Sequence, residues 1–200
     1  MVQLLINKGA NIKAPDKGHS SALHRASEKG HEQVVRLLIE QGAEVNAQDQ
    51  ECCSALHMAS GKGHEQVVVR LLIEAGADVN AQDREYCRAL DMASEKGHEQ
   101  VARLLIEQGA EVNAQDHRCR SALRMASGKG HEQVVRLLIE KGAEVNAQNH
   151  RCRSALHMAS ERGHEQVVRL LIKQGAEGAA VNAQGGYHGN PLQAAAAGGH

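Results

Sequence analysis

The doublet Gly-His returns at Gly30-His31, Gly63-His64, Gly97-His98, Gly130-His131, Gly163-His164 and Gly199-His200, at spacings of 33, 34, 33, 33 and 36 residues. A period in this range constrains the fold strongly. A unit of that length is one supersecondary element that cannot bury its apolar face alone, so neighbouring units must stack to make a shared core. The text between the doublets repeats as well. Ser21-Ala22-Leu23 through Asn46-Ala47-Gln48 returns at Ser121-Ala122-Leu123 through Asn146-Ala147-Gln148 with few changes. The whole chain reads as one array over residues 1–200. It divides into a partial unit at 1–15, full units at 16–48, 49–82, 83–115, 116–148 and 149–184, and a partial unit at 185–200.

One unit can be read from local chemistry. Ser21 suits the N-cap of a short first helix through Leu23 and Ala26, because its hydroxyl can accept from an orphan backbone N–H. Gly30 ends that helix, and Val34-Val35-Arg36-Leu37-Leu38-Ile39 starts a second one. The second helix is apolar nearly all round, so it needs cover on several sides. Gly42-Ala43 ends it, and Glu44 to Asp49 forms a short polar connection, hairpin-like at most. Small Ala26, Ala59, Ala93, Ala126 and Ala159 recur on the first helix and allow close helix approach. The chain has no Trp or Phe and two Tyr, so its core must be thin aliphatic layers. The expected fold is an all-α solenoid of helix–turn–helix units with hairpin-like loops.

The pattern Ser-Ala-Leu-His-x-Ala, then Gly-His-x-x-Val-Val-x-Leu-Leu-Ile, then Gly-Ala-Glu-Val-Asn-Ala resembles the ankyrin repeat over essentially the whole chain. The family's Thr-Pro-Leu-His stands here as Ser21-Ala22-Leu23-His24, Ser54-Ala55-Leu56-His57 and Ser154-Ala155-Leu156-His157. It departs to Arg88-Ala89-Leu90-Asp91 and Ser121-Ala122-Leu123-Arg124, and the last copy is Asn190-Pro191-Leu192-Gln193. In the family that His ties the loop to the helices, so the resemblance implies weaker units at Asp91 and Arg124. It also implies that His31, His64, His98, His131 and His164 bond to neighbouring backbone. The segment Gly185 to Ala195 is similar to repeats in fungal arrays that follow a NACHT nucleotide-binding module, which are innate-immunity-like receptors.

Two irregularities interrupt the period. Val67-Val68-Val69 replaces Val34-Val35, and one inserted residue turns a helix face by roughly 100°. A π-bulge near Val67–Val69 or a looser loop around His64 is expected. Gly178-Ala179-Ala180 adds three residues in a connection, where insertions are tolerated. The chain begins and stops inside a unit, which is expected of a piece of a longer array.

Catalysis finds no support. Gly128-Lys129-Gly130 and Gly61-Lys62-Gly63 lack the first Gly and the Ser/Thr of a phosphate loop. No Gly-x-Ser-x-Gly elbow is present. Glu32, Glu65, Glu99, Glu132 and Glu165 are repeat text on a solvated face. The column of Gly-His histidines steps by roughly 8–10 Å per unit. Zinc ligands must lie about 2.0–2.3 Å from the ion, so one column makes no metal site. The five cysteines have no metal-ligand spacing. Cys52, Cys119 and Cys152 share one turn position, and Cys53 and Cys87 share the next. They read as small turn residues in a reducing, intracellular, cytoplasmic setting. A redox role is the alternative, with Arg118 or Arg120 lowering the Cys119 thiol pKa. No apolar run reaches a bilayer span, and Met1 to Ile6 is too short for a signal peptide. No metal and no cofactor are expected.

Binding to a protein is the leading function. The positions that vary between copies are the tips of the connections. The candidate contacts are Lys17, Ser20, Gln50, Glu51, Arg84, Glu85, Tyr86, His117, Arg118, Arg120, His150, Arg151 and Arg153. The resemblance implies that ankyrin tips and the concave face of the first helices bind partners. That adds Glu28-Lys29, Gly61-Lys62, Glu95-Lys96, Gly128-Lys129 and Glu161-Arg162. The later tips are basic and suit a partner with an acidic surface. A plain solvated turn explains the same residues. Nucleic acid is disfavoured, since 23 Lys and Arg meet 24 Asp and Glu and no stacking aromatics accompany the arginines. A structural spacer remains an alternative, and the sensing array of a larger receptor is the narrower form of the leading one.

Overall fold

The computed structural model describes residues 1–63, 66–149, 153–174, 180–185 and 189–200. The helices are α1 (Val2–Asn7), α2 (Ala22–Glu28), α3 (Glu32–Glu40), α4 (Ala55–Lys62), α5 (Gln66–Glu74) and α6 (Ala89–Lys96). They continue with α7 (Glu99–Glu107), α8 (Ala122–Lys129), α9 (Glu132–Glu140), α10 (Ala155–Glu161), α11 (Glu165–Gln174) and α12 (Pro191–Gly198), with a 3-10 turn at Ala180–Asn182. No strand is present among the described residues. Two layers result. The first helices α2, α4, α6, α8, α10 and α12 pack each on the next, and the second helices α3, α5, α7, α9 and α11 do the same behind them.

The first helices start as their sequence predicts. Ser21, Ser54, Ser121, Ser154 and Asn190 take extended backbone at the N-cap. The Ser121, Ser154 and Asn190 side chains accept from the N–H three residues on. Inside the layer the Ala column is closed completely, with Ala59, Ala93, Ala126 and Ala159 at 0 % exposure beside Leu56, Leu90 and Leu123. Ser27, Ser60, Ser94 and Ser127 sit next to that column, buried, and their hydroxyls have no partner. An unmet buried hydroxyl costs about 1–3 kcal/mol. Ser94→Ala is therefore expected to raise stability by up to about 1 kcal/mol in a urea melt, the missing oxygen leaving a small void.

The second helices bury one wide face. In α9, Val134, Val135, Leu137 and Leu138 are buried, while Glu132 and Arg136 pair at 2.9 Å on the open side. Glu32–Arg36, Glu99–Arg103 and Glu165–Arg169 repeat this i,i+4 pairing. Such exposed pairs contribute a few tenths of a kcal/mol each, so the Val and Leu face holds the layer.

The extra valine does not make a π-bulge. Helix α5 is regular α-helix from Gln66 to Glu74, the same nine-residue length as α3 and α9. Val68, Val69 and Leu72 fill the core places of Val34, Val35 and Leu38. Counting back from there, Val67 takes the outward place of Gln33 and is 37 % exposed. A bulge would have rotated Leu71 and Leu72 off the core, at a cost of kilocalories; keeping them in register costs one exposed methyl-bearing side chain. The alternative site for the extra residue, around His64, and most of the Gly178–Ala180 insertion lie outside the described residues.

Candidate functional site

Four connections end in a hairpin tip built by one acidic side chain, and at a fifth Asn149 Oδ1 accepts from Arg153 N–H. The Asp16 carboxylate accepts from the N–H of Gly18 and Ser20, Asp49 from Glu51 and Cys53, Asp83 from Glu85 and Cys87, and Asp116 from Arg118 and Arg120. The same Asp closes the tip through its backbone, as Asp83 N–H donates to Cys87 O at 3.0 Å. The chain reverses through a left-handed residue at His19, Cys52, Tyr86 and Cys119. Successive tips are then zipped together by backbone. Gln50 N–H donates to Gly18 O, Arg84 N–H to Glu51 O, and His117 N–H to Glu85 O, at 3.1, 2.9 and 3.2 Å.

Two side-chain types couple the frame behind the tips. The Ser21, Ser54 and Ser154 N–H groups donate to Nδ1 of His24, His57 and His157. That leaves the proton on Nε2, which donates to Cys53 O, Cys87 O and Gly189 O of the next unit at 3.0, 3.2 and 3.1 Å. Burial holds the His57 and His157 pKa values below the usual imidazole range. Asn46, Asn80 and Asn113 reach forward in the same way. Their amides donate to Gly76 O, Gly109 O and Gly142 O, and their carbonyl oxygens accept from Asp78, Glu111 and Glu144 N–H. The tip aspartates and these asparagines are functional in holding the surface. Their signal in the sequence was their recurrence at the period, hidden inside a connection that reads as merely polar.

The variable positions fall on this ladder. Lys17, Gln50, Glu51, Arg84, Glu85, Tyr86, His117 and Arg118 are exposed, and Arg120 and Arg153 are half-buried. Ser20 is a correction: it is buried at 6 % exposure and belongs to the tip's own frame, its N–H bound to Asp16. His150 and Arg151 lie outside the described residues. The tip cations are largely answered by acids on the preceding tip, on their own tip or, for Arg153, at the end of α10. Arg84 pairs with Glu51, Arg118 and Arg120 with Glu85, Arg120 also with Asp116 at 2.6 Å, and Arg153 with Glu161. His117 lies against Tyr86, its Nδ1–H donating to Glu85 O while Nε2 accepts from Arg118 Nε.

On the open face of the first-helix layer, Glu28 pairs with Lys62 and Glu95 with Lys129 across adjacent units. A pocket of about 120 Å³ opens there between α8 and α10, lined by Glu95, Arg120, Arg124, Met125, Gly128, Lys129, Met158 and Arg162.

Two of the cysteines, Cys53 and Cys87, offer little reactivity. Burial first, then nearby carboxylates, pushes the Cys53 and Cys87 thiols up to about 12, so they stay protonated at neutral pH. Cys87 Sγ sits 3.8 Å from Asp116 Oδ2. Among the described residues no group of three or more His, Cys, Asp or Glu is placed to hold a metal ion. Among the described residues no helix is long and apolar enough to cross a membrane.

A stack of two-helix units joined by zipped hairpin tips, with a variable outer row on a constant frame, is a repeat protein of the binding-scaffold class. Family models agree. Ankyrin repeats (3 copies) match residues 1–49 and 44–116, and ankyrin repeats (many copies) match residues 125–172. The chain belongs to the ankyrin-repeat family. No curated protein matches it. Ankyrin repeats generally mediate protein–protein interaction, and proteins built from them are generally binding scaffolds rather than enzymes.

Proposed function

We propose that this array is an intracellular protein-interaction scaffold that holds its partner on the tip ladder and the open face of the first helices. One observation carries the reading. The residues that differ between units, such as Gln50-Glu51, Arg84-Glu85-Tyr86 and His117-Arg118, are the exposed ones, while the Asp, Asn and His residues that fix the ladder recur. Such a surface changes its contacts without changing its shape. Internal pairing of the tip arginines argues against a nucleic-acid role, since phosphate binding needs cations free to displace counterions. The similarity of the Gly185 to Ala195 segment to NACHT-associated fungal arrays supports the narrower reading of a receptor's sensing array.

The test is affinity capture from source cells with the parent array and with Arg84→Ser, Tyr86→Ser, Arg118→Ser combined. These side chains carry no frame hydrogen bond to the core, so the variant keeps its melting curve. A partner retained by the parent and weakened about tenfold or more in the variant is expected. Equal retention by both, with loss only when a whole repeat is deleted, would favour a spacer.

A further inference from the structure

Arg124 stands where three sibling units carry the coupling imidazole, and it cannot do the same work. Its guanidinium is too long to stop at the next unit's carbonyl. Instead Nη1 donates to Cys119 O in its own tip. The side chain is buried at 5 % exposure, and its Nε has no hydrogen-bond partner. Burial, then the nearby Arg153 charge, pushes its pKa down to about 10, so the charge is held in an unfavourable place.

Every acid around the pocket already has a cation. Asp116 is taken by Arg120 and by the Arg118 and Arg120 N–H groups, Glu95 by Lys129, and Glu161 by Arg153. Two guanidiniums remain. Arg162 Nη1 donates to Gly128 O at 2.6 Å, and among the described residues neither Arg124 nor Arg162 makes an ion pair. Gly128 keeps the space open. The same column holds Glu95 and Glu161 in the flanking units. A Cβ on Gly128 would meet Met158 Cε at 3.2 Å and Arg162 Nη1 at 3.7 Å.

We infer that the pocket between α8 and α10 receives one carboxylate side chain from an acidic segment of the partner protein, with Arg124 and Arg162 as its anchors. Planar guanidinium forks match a carboxylate, and a buried cation lacking a counter-ion gains most from one. Met125 and Met158 supply an apolar, adaptable wall for the side chain's methylenes. At about 120 Å³ the pocket falls below the ~300–1,000 Å³ of small-molecule sites, which suits one side chain rather than a nucleotide. Glu95 on the rim disfavours a dianion. The inference rests on the scaffold reading and places one of its contacts.

The test uses three fluorescent ten-residue peptides, alternating Ala with Glu, with Gln, or with phosphoserine, followed by anisotropy. The parent is expected to bind the Glu peptide about tenfold or more tighter than the Gln peptide. Gly128→Glu supplies the carboxylate from within and is expected to abolish that preference. Arg124→His restores the sibling residue, keeps the fold, and is expected to lose it as well. Equal binding of Glu and Gln peptides, no binding of either, or an unaffected Gly128→Glu array overturns the inference. So does a phosphoserine peptide that binds about tenfold tighter than the Glu peptide, which would make the site one for phosphate. Cellular capture run beside it separates the two claims. A partner held equally by parent and Gly128→Glu arrays removes the pocket and leaves the scaffold standing, whereas a parent array that retains no partner at all removes the scaffold reading itself.

Discussion

Asp91→Asn is expected to stabilise the array by about 2–4 kcal/mol at pH 8 and by almost nothing at pH 4. Asp91 occupies the place of the coupling histidine at 3 % exposure. It keeps half of that residue's work, accepting from Arg88 N–H at 2.9 Å. The other half, donation to the next unit's carbonyl, is closed to an ionised carboxylate. Burial raises its pKa from 3.8 to about 7, with Asp116 adding to the rise and Arg88 and Arg120 opposing it. The folded pKa thus lies above the unfolded one. Between about pH 4 and pH 7 the native state holds a proton that the unfolded chain has released. Stability from this group is therefore full below about pH 4, falls as pH rises through the window, and is level above it. A carboxyl moved from 3.8 to about 7 would give about 4 kcal/mol as an upper figure. Asn has no charge to lose, accepts from the same N–H, and has an amide to donate forward. Paired urea melts of parent and variant at pH 4 and pH 8 measure the difference. An equal change at both pH values would show that Asp91 is ionised without penalty.

That residue also shows where sequence reading stops. The period, the two helices per unit, their Ser caps and the aliphatic core were legible, because each follows from neighbours a few residues away. A weak unit at Asp91 was legible through the family pattern, but its cause was not, since a pKa depends on burial under a unit some thirty residues on. Asn80 and Asp83 read as loop polarity. Their meaning lies in bonds to Gly109 O and Glu111 N–H on one side and to the tip's own amides on the other. Arg118 and Arg120 read as a free basic row, yet both meet Glu85 across the unit boundary. The third valine of Val67–Val69 was visible as an insertion. Which way it would shift was decided by Leu72, whose burial at 0 % exposure holds the helix in register from its C-terminal side. Of the pocket residues, Arg124 was visible only as a departure from the repeat, while Gly128 and Arg162 stood among the concave-face positions that the family resemblance implied.

Gly97→Ala is expected to cost about 2–4 kcal/mol, more than the same change at Gly109. Both glycines have left-handed backbone, φ 79° and 89°, and an alanine there costs about 1–2 kcal/mol. At Gly109 nothing lies within 4 Å of an added Cβ, so the cost ends there. At Gly97 the Cβ would sit 2.5 Å from His131 Nδ1. That imidazole is pinned, its Nε2 donating to Glu95 O at 2.9 Å. It must leave, and a bond worth about 1 kcal/mol goes with it. The Gly-His doublet is thus two halves of a contact between units: His98, His131, His164 and His200 seat on Gly63, Gly97, Gly130 and Gly163 of the unit before. In a solenoid the interfaces carry the cooperativity. Weakening the one between α6 and α8 should therefore split the single unfolding transition of the parent into two, with the Gly109→Ala array melting lower but in one step. A single shifted transition for Gly97→Ala, matching that of Gly109→Ala, would mean that the ring yields freely and that the doublet's periodicity comes from backbone conformation alone.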